Sequence, residues 1–148
     1  MKQGRATLTW TQGLKFTAGA ASGHSVNLDA SIEGGGDNAG FQPLELLLVG
    51  LGGCTGMDVI SLLKKMRQDV TGYEVFVTGD RAEEHPKVYT RIHVEHVVRG
   101  RGVESTAVQR AIDLSAQRYC PAMAMLSKAA EITTSYRIVE EARVEVSD

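Results

Sequence analysis

The sequence predicts an α+β fold. Three observations carry it. Short alternating segments crowd the chain before Glu33, one long apolar run fills Pro43 to Met66, and the second half offers two further alternating segments, two helical stretches and a last strand. A length of 148 residues suits a single domain over 1–148.

The first segment sets Ala6, Leu8 and Trp10 against Thr7, Thr9 and Thr11, the pattern of a half-buried strand. Gly13 marks a turn, Leu14, Phe16 and Ala18 continue the alternation, and Gly19 to Gly23 turn again. Val26, Leu28, Ala30 and Ile32 complete an expected three-stranded meander. Glu33 to Gly40 is a loop by composition; it is glycine-rich but lacks the lysine of a phosphate loop and is read as mobile.

Pro43 suits a first helical position, where a missing N–H is no loss. No other proline follows before Pro86, and Glu45 and Asp58 are the charged residues between Leu44 and Leu63. A helix apolar on nearly every side needs cover on nearly every side. Gly50, Gly52, Gly53 and Gly56 interrupt it, each costing about 1 kcal/mol against alanine. Close approach by another backbone or a ligand is the usual reason to keep them. Lys64, Lys65 and Arg67 suit the helix end, and Gly72 is expected to mark the exit.

Tyr73 to Thr78 reads as a strand, Gly79 to Pro86 as a charged turn, and Val88 to Arg99 as the cleanest strand of the chain. From Glu104 to about Tyr119 a stripe of Val108, Ala111, Ile112, Ser115 and Tyr119 predicts a helix. Pro121 opens another, to about Ala130, with Cys120 as its N-cap. Ile132, Thr134, Tyr136 and Ile138 form a last strand; Arg143 to Asp148 is a tail in which Val144 and Val146 could extend a strand.

A formal charge of −2 with interspersed signs gives no case for nucleic acid. The run 44–63 is long enough to cross a membrane, but Asp58, Glu45 and the glycines argue against it. Met1 to Thr11 has no apolar run of the signal-peptide kind, and two cysteines then suit a reducing, cytoplasmic setting.

Those two cysteines are the candidate chemistry. A thiol reacts as its thiolate, and a helix N-terminus lowers its pKa, which is the expectation for Cys120. Cys54 lies mid-helix and would need a nearby charge. Spacing cannot bring the two together, although the Cys120 turn could pack into the gap left by Gly50 and Gly53. Two inert buried cysteines are the plain alternative.

The motifs Pro43-Leu-Glu-Leu-Leu-Leu48, Gly52-Gly-Cys-Thr-Gly-Met-Asp-Val59 and Tyr119-Cys-Pro121 resemble the OsmC/Ohr family, and in particular its YhfA-like branch. The likeness runs from the opening strands to about Val139. It implies the OsmC-like α+β fold in an intertwined homodimer, with sites at the subunit interface. It implies thiol-dependent reduction of hydroperoxides, organic ones above all, in oxidative stress defence. It makes Cys54 the peroxidatic nucleophile, Cys120 the resolving thiol that closes a disulfide with it, and an external dithiol the reductant, with no cofactor or metal. It also brings Glu45 into the catalytic set. In the organic hydroperoxide resistance proteins the glutamate directly follows the proline; here Leu44 intervenes, a shift of about 100° around a helix. Those proteins also hold the thiolate with an N-terminal arginine. Arg5 is the one arginine ahead of the helix, with Lys15 and His24 as other basic groups.

Elsewhere plainer readings prevail. Asp58 shares a face with Cys54 and reads as a hydrogen-bonded or partly solvated carboxylate. His24 reads as a surface histidine. His93 and His96 fall on opposite strand faces, and no spacing suits zinc. Met57, Met66, Met123 and Met125 read as packing. Two rival functions stand beside the peroxidase: other thiol chemistry, with sulfane sulfur or electrophiles, and non-enzymatic binding of an apolar ligand by a dimer.

Overall fold

The structure is a computed structural model that describes residues 3–142; the expected tail, with Val144 and Val146, lies outside them. The chain divides into two compact units, before and after the Leu47–Leu48 bond.

In the first unit β1 (Ala6–Gln12), β2 (Lys15–Ala20) and β3 (Ser25–Leu28) form the expected antiparallel meander. The first hairpin turns at Gly13, whose φ of +54° suits glycine and whose carbonyl accepts the Trp10 indole N–H at 2.9 Å. The alternation in β1 is as expected, but the strand is not half-buried: all its residues are exposed, Trp10 by 62%. β3 ends at Leu28 instead of Ile32 because Asp29 leaves the ladder. The Asp29 carboxylate accepts the backbone N–H groups of Ala30, Asp37 and Ala39 at 2.8, 3.0 and 3.1 Å. The Ala39 bond foremost holds this carboxyl below its usual range. The glycine-rich segment, read as a mobile loop, is thus folded around Asp29. Gly36 is required there, since a Cβ would stand 2.3 Å from the Ala30 carbonyl.

The long helix α1 (Pro43–Lys65) starts where expected. Glu45 accepts the Gln42 N–H at 3.0 Å, one arm of a capping box. The far end differs from expectation. Arg67 takes a φ of +59° and the Gln68 N–H reaches back to the Leu63 carbonyl at 3.0 Å, so a left-handed arginine closes the helix in the Schellman manner. Gly72 lies inside the next strand, at a register shift against Arg99.

The second unit contains a sheet of β4 (Asp69–Arg81), β5 (Tyr89–Arg101) and β6 (Glu131–Glu140), in that spatial order. β4 and β5 run antiparallel, β5 and β6 parallel. Between β5 and β6 come α2 (Ser105–Leu114), a π turn (Ser115–Tyr119) and α3 (Pro121–Leu126). The single helix expected from Glu104 to Tyr119 therefore widens in its last five residues. The widened turn carries Tyr119 off the buried stripe, leaving it exposed, while Val108, Ala111, Ile112 and Ser115 stay buried. α3 ends at Leu126, short of Ala130.

Within this unit α1 buries one row, Leu51, Thr55, Val59 and Leu63, spaced four apart. Val59 and Leu63 join Val98, Val108, Ala111 and Ile112 in one core cluster; Leu51 joins Ile92, Val94, Cys120 and Met123 in a second. Among the described residues α1 is the one helix long and apolar enough to cross a membrane, with mean hydropathy 1.9, and this row packs into the unit's core. Its other face is bare, with Met57 exposed by 74%. The glycines divide accordingly. A Cβ on Gly52 would stand 2.9 Å from Val77 Cγ2, and one on Gly56 3.3 Å from Val75 Cγ2, so both admit β4. Gly50 and Gly53 meet nothing among the described residues within 4 Å. Gly52→Ala is expected to destabilise by about 1–3 kcal/mol through overpacking against a stiff valine. Gly50→Ala is expected to stabilise the single chain by about 0.5–1 kcal/mol. Urea unfolding of the two variants at high dilution tests this; equal shifts of one sign would refute the division.

Candidate active site

The site assembles where α1 passes the start of α3. Cys54 rides on α1, half-buried, next to the row that faces the sheet. Cys120 is the N-cap of α3 as expected, with extended backbone, Pro121 in the first helical position and the Met123 N–H donating to its sulfur at 3.3 Å. The two thiols are neighbours in one apolar cluster, Cys54 acting directly on the Cys120 sulfhydryl, and both are free. Leu51, Met123, Ala116, Ala122 and Leu126 complete their apolar surroundings. The thiols do not meet through the gap at Gly50 and Gly53, which is open; they meet on the side of Leu51.

The electrostatics of Cys120 run against the sequence expectation. Its N-cap position does supply an N–H that favours the thiolate. Burial outweighs it: Cys120 is 3% exposed, and desolvation pushes its thiol up to about 11, with Cys54 and Asp58 adding to the rise. Cys120 is a protonated thiol at neutral pH. A six-residue helix and one long hydrogen bond cannot offset the loss of water around a sulfur anion.

Beneath the thiols lies a polar set. Thr55 and Ser115, both buried, share a hydrogen bond of 2.8 Å, and the Ser115 hydroxyl donates to Asp58 at 2.9 Å. The Ser115 carbonyl accepts the Cys120 N–H at 2.8 Å. Asp58 is thus hydrogen-bonded and part-buried, in line with its plain reading. Ser115 and Thr55 were not singled out by the sequence. The available signal was a hydroxyl at a core position of the α2 stripe, since buried hydroxyls demand partners. Where α1 passes β4, away from the thiols, Leu48, Val49, Gly52 and Gly53 with Val75 and Val77 line an open apolar hollow of about 460 Å³.

Other candidate residues are engaged elsewhere. Glu45 belongs to the first unit and caps α1. Lys15 is paired with Asp37, and His24 with Ser22 at 3.1 Å. His93 bonds Thr133 and Ser135 at 2.6 and 2.8 Å on one sheet face. On the other, His96 is wholly buried, its Nδ1 2.6 Å from the Tyr73 hydroxyl.

A family model described as OsmC-like protein matches residues 34–135. The chain belongs to the OsmC-like family. Protein YhfA of Escherichia coli strain K12 is 44% identical over 135 residues, spanning 91% of this chain and 98% of that protein. The crystal structure of a hypothetical protein from Aquifex aeolicus VF5 superposes with a TM-score of 0.84 at 32% identity, over 96% of this chain and 100% of that one. An organic hydroperoxide resistance protein from Elizabethkingia anophelis, crystallised with a crystallant-derived thiocyanate bound, gives a TM-score of 0.70 at 17% identity, over 94% and 98%. At that identity the OsmC-like fold is what the two share. The YhfA likeness and the α+β OsmC-like fold expected from the motifs around Pro43, Cys54 and Cys120 are both met.

Proposed function

We propose that this protein is a thiol-dependent hydroperoxide reductase of oxidative stress defence, acting on organic hydroperoxides as a cytoplasmic homodimer. The observation that carries the reading is the adjacency of Cys54 and Cys120 across α1 and the start of α3. The Cys54 thiolate attacks the distal peroxide oxygen; the O–O bond breaks, the alcohol leaves with a proton, and Cys54 becomes a sulfenic acid. Cys120 then attacks the Cys54 sulfur, the S–O bond breaks and water leaves with the Cys120 proton. An external dithiol reduces the disulfide by exchange. The two OsmC-like thiols supply both electrons, so the cycle needs no metal or organic cofactor.

The apolar side chains clustered with the thiols, Leu51, Met123, Ala122 and Leu126, suit the hydrocarbon part of the substrate. The name of the Elizabethkingia relative supports the same substrate class. The uncovered apolar groups support a second copy: Leu8, Trp10 and Leu14 in the first unit, and Leu47, Val49 and Met57 along α1. Glu45 enters this reading through the family resemblance, beside its capping bond.

Stopped-flow oxidation of the reduced protein tests the proposal. Cumene hydroperoxide is expected to oxidise it at least about tenfold faster than hydrogen peroxide, since one apolar side group contributes that much in a fitted pocket. Peptide mapping should then find a Cys54–Cys120 disulfide. Equally sluggish oxidation by both peroxides would overturn the reading and favour sulfur donors, electrophiles or an apolar ligand.

A further inference from the structure

We propose that Ser115 and Asp58 form a clasp that positions Cys120 for condensation with Cys54, making them positioning residues of the resolution step. The inference rests on the peroxidase reading and extends it to residues outside the thiol pair.

Ser115 holds both halves of the site at once. Its carbonyl accepts the Cys120 N–H at 2.8 Å across the π turn, while its hydroxyl joins Thr55 at 2.8 Å and Asp58 at 2.9 Å on the helix that carries Cys54. One residue therefore couples the backbone of the resolving cysteine to the helix of the nucleophile. The rest of the contact is apolar, from Leu51, Met123 and Ala116, and apolar packing lets neighbours slide where hydrogen bonds set direction. Direction matters because a disulfide needs its sulfurs about 2.05 Å apart with the dihedral near a right angle. The π turn fits the same account. An ordinary α turn would pair the Cys120 N–H with residue 116; the wider turn pairs it with Ser115, the residue whose hydroxyl reaches α1.

The chemical step is the condensation: the Cys120 S–H bond breaks, the S–S bond forms, the Cys54 S–O bond breaks, and the leaving hydroxide takes the thiol proton as water. The clasp takes no part in the electron count. It holds the Cys120 sulfur in line with the S–O bond. The titratable groups facing Cys120 are Cys54 and Asp58, both from α1; β5 presents Ile92 and Val94 to this cluster and β6 presents Ile132.

The test resolves two kinetic phases, sulfenic acid formation and disulfide closure, in wild type and in Ser115→Ala, Asp58→Ala and Asp58→Asn. Cumene hydroperoxide is one oxidant. Diamide, which forms an adduct on one thiol that the other displaces, is the second and does not depend on peroxidase activity. Ser115→Ala and Asp58→Ala are expected to leave the first phase unchanged and slow the second by about tenfold or more, the rate equivalent of one lost charge-assisted hydrogen bond. Asp58→Asn still accepts from Ser115 and should recover most of the closure rate. Val59→Ala, which thins the core without touching the clasp, should lower the melting temperature and leave closure at the wild-type rate. Closure at the wild-type rate in Ser115→Ala, or slowing in proportion to lost stability across all variants, would overturn the clasp. If wild type closes its disulfide with diamide but ignores peroxides, the peroxidase reading falls and the clasp is still judged by the variants. No closure with either oxidant would overturn both.

Discussion

Replacing Cys54 by serine is expected to abolish peroxide reduction, by on the order of 10⁴-fold or more, while leaving the fold intact. The serine hydroxyl is nearly isosteric, and Cys54 is half-buried beside the packed row of α1, so the row is kept. What should disappear is the sulfur that, in the proposed cycle, takes the peroxide oxygen. The paired expectation is asymmetric. Cys120→Ser should leave the first turnover close to wild type and stop there, with a sulfenic acid that a dimedone reagent traps and mass spectrometry reads at Cys54. The asymmetry follows from burial. Cys120 is a protonated thiol held near pKa 11, unfit to attack peroxide at neutral pH. It becomes reactive only toward an electrophilic sulfur placed beside it. If Cys120→Ser lost the first oxidation and Cys54→Ser kept it, the two roles would have to be exchanged.

The second large effect concerns acid. His96 is buried completely, and desolvation pushes its pKa down to about 4 from 6.5. Its Nδ1 meets the Tyr73 hydroxyl at 2.6 Å; Nε2 has no partner among the described residues. Burial also lifts the Tyr73 phenol well above its ordinary range, so the pair is neutral at pH 7. Above pH 6.5 neither the folded nor the unfolded chain binds the extra proton, and the stability is fully present. As pH falls below 6.5 the unfolded chain takes up a proton that the folded chain refuses until about pH 4. Folding free energy should decline across that window by about 3 kcal/mol in all, a large share for a domain of this size. Asp29, held below the ordinary carboxylate range, adds its own loss only at lower pH. Urea unfolding at pH 7.5, 5.5 and 4.5 reads the decline, and His96→Asn, which cannot titrate, should flatten it. Parallel curves for the two proteins would defeat the assignment.

Much of the frame was legible in the residues. Pro43 and the apolar run specify the start and extent of α1 because proline at the first turn and an unbroken hydrophobic stretch admit few alternatives. Strict alternation from Val88 to Arg99 specifies β5, and Tyr119-Cys-Pro121 specifies a helix start. What escaped was decided by single polar groups acting at a distance. Asp29 ends β3 by gathering the amides of Ala30, Asp37 and Ala39, the last of them ten residues on. Arg67 closes α1 in a backbone region where glycine was the natural expectation. The π turn starts at Ser115, whose partners Thr55 and Asp58 come from α1 and are not revealed by any local pattern around it. The acidity expected for Cys120 failed for a related reason: N-cap geometry is visible in sequence, whereas the depth at which it is buried is not.

The parallel pairing of β5 and β6 gives the thiol pair a place in time. Parallel neighbours cannot close through a hairpin, so the whole crossover from Gly102 to Ala130, with Ser115 and Cys120 on it, must be laid down before β6 can dock. Such non-local pairing is slow to form. Cys54 leaves the ribosome early and waits as an unpaired thiol through synthesis of everything that follows. Its partner lies on that crossover, so the pair is expected to meet late in folding, when the crossover is packed beneath β6. Damage to β6, which packs Ile132 against the thiol cluster, is therefore expected to reach the sulfur chemistry by loosening the contact between Cys54 and Cys120.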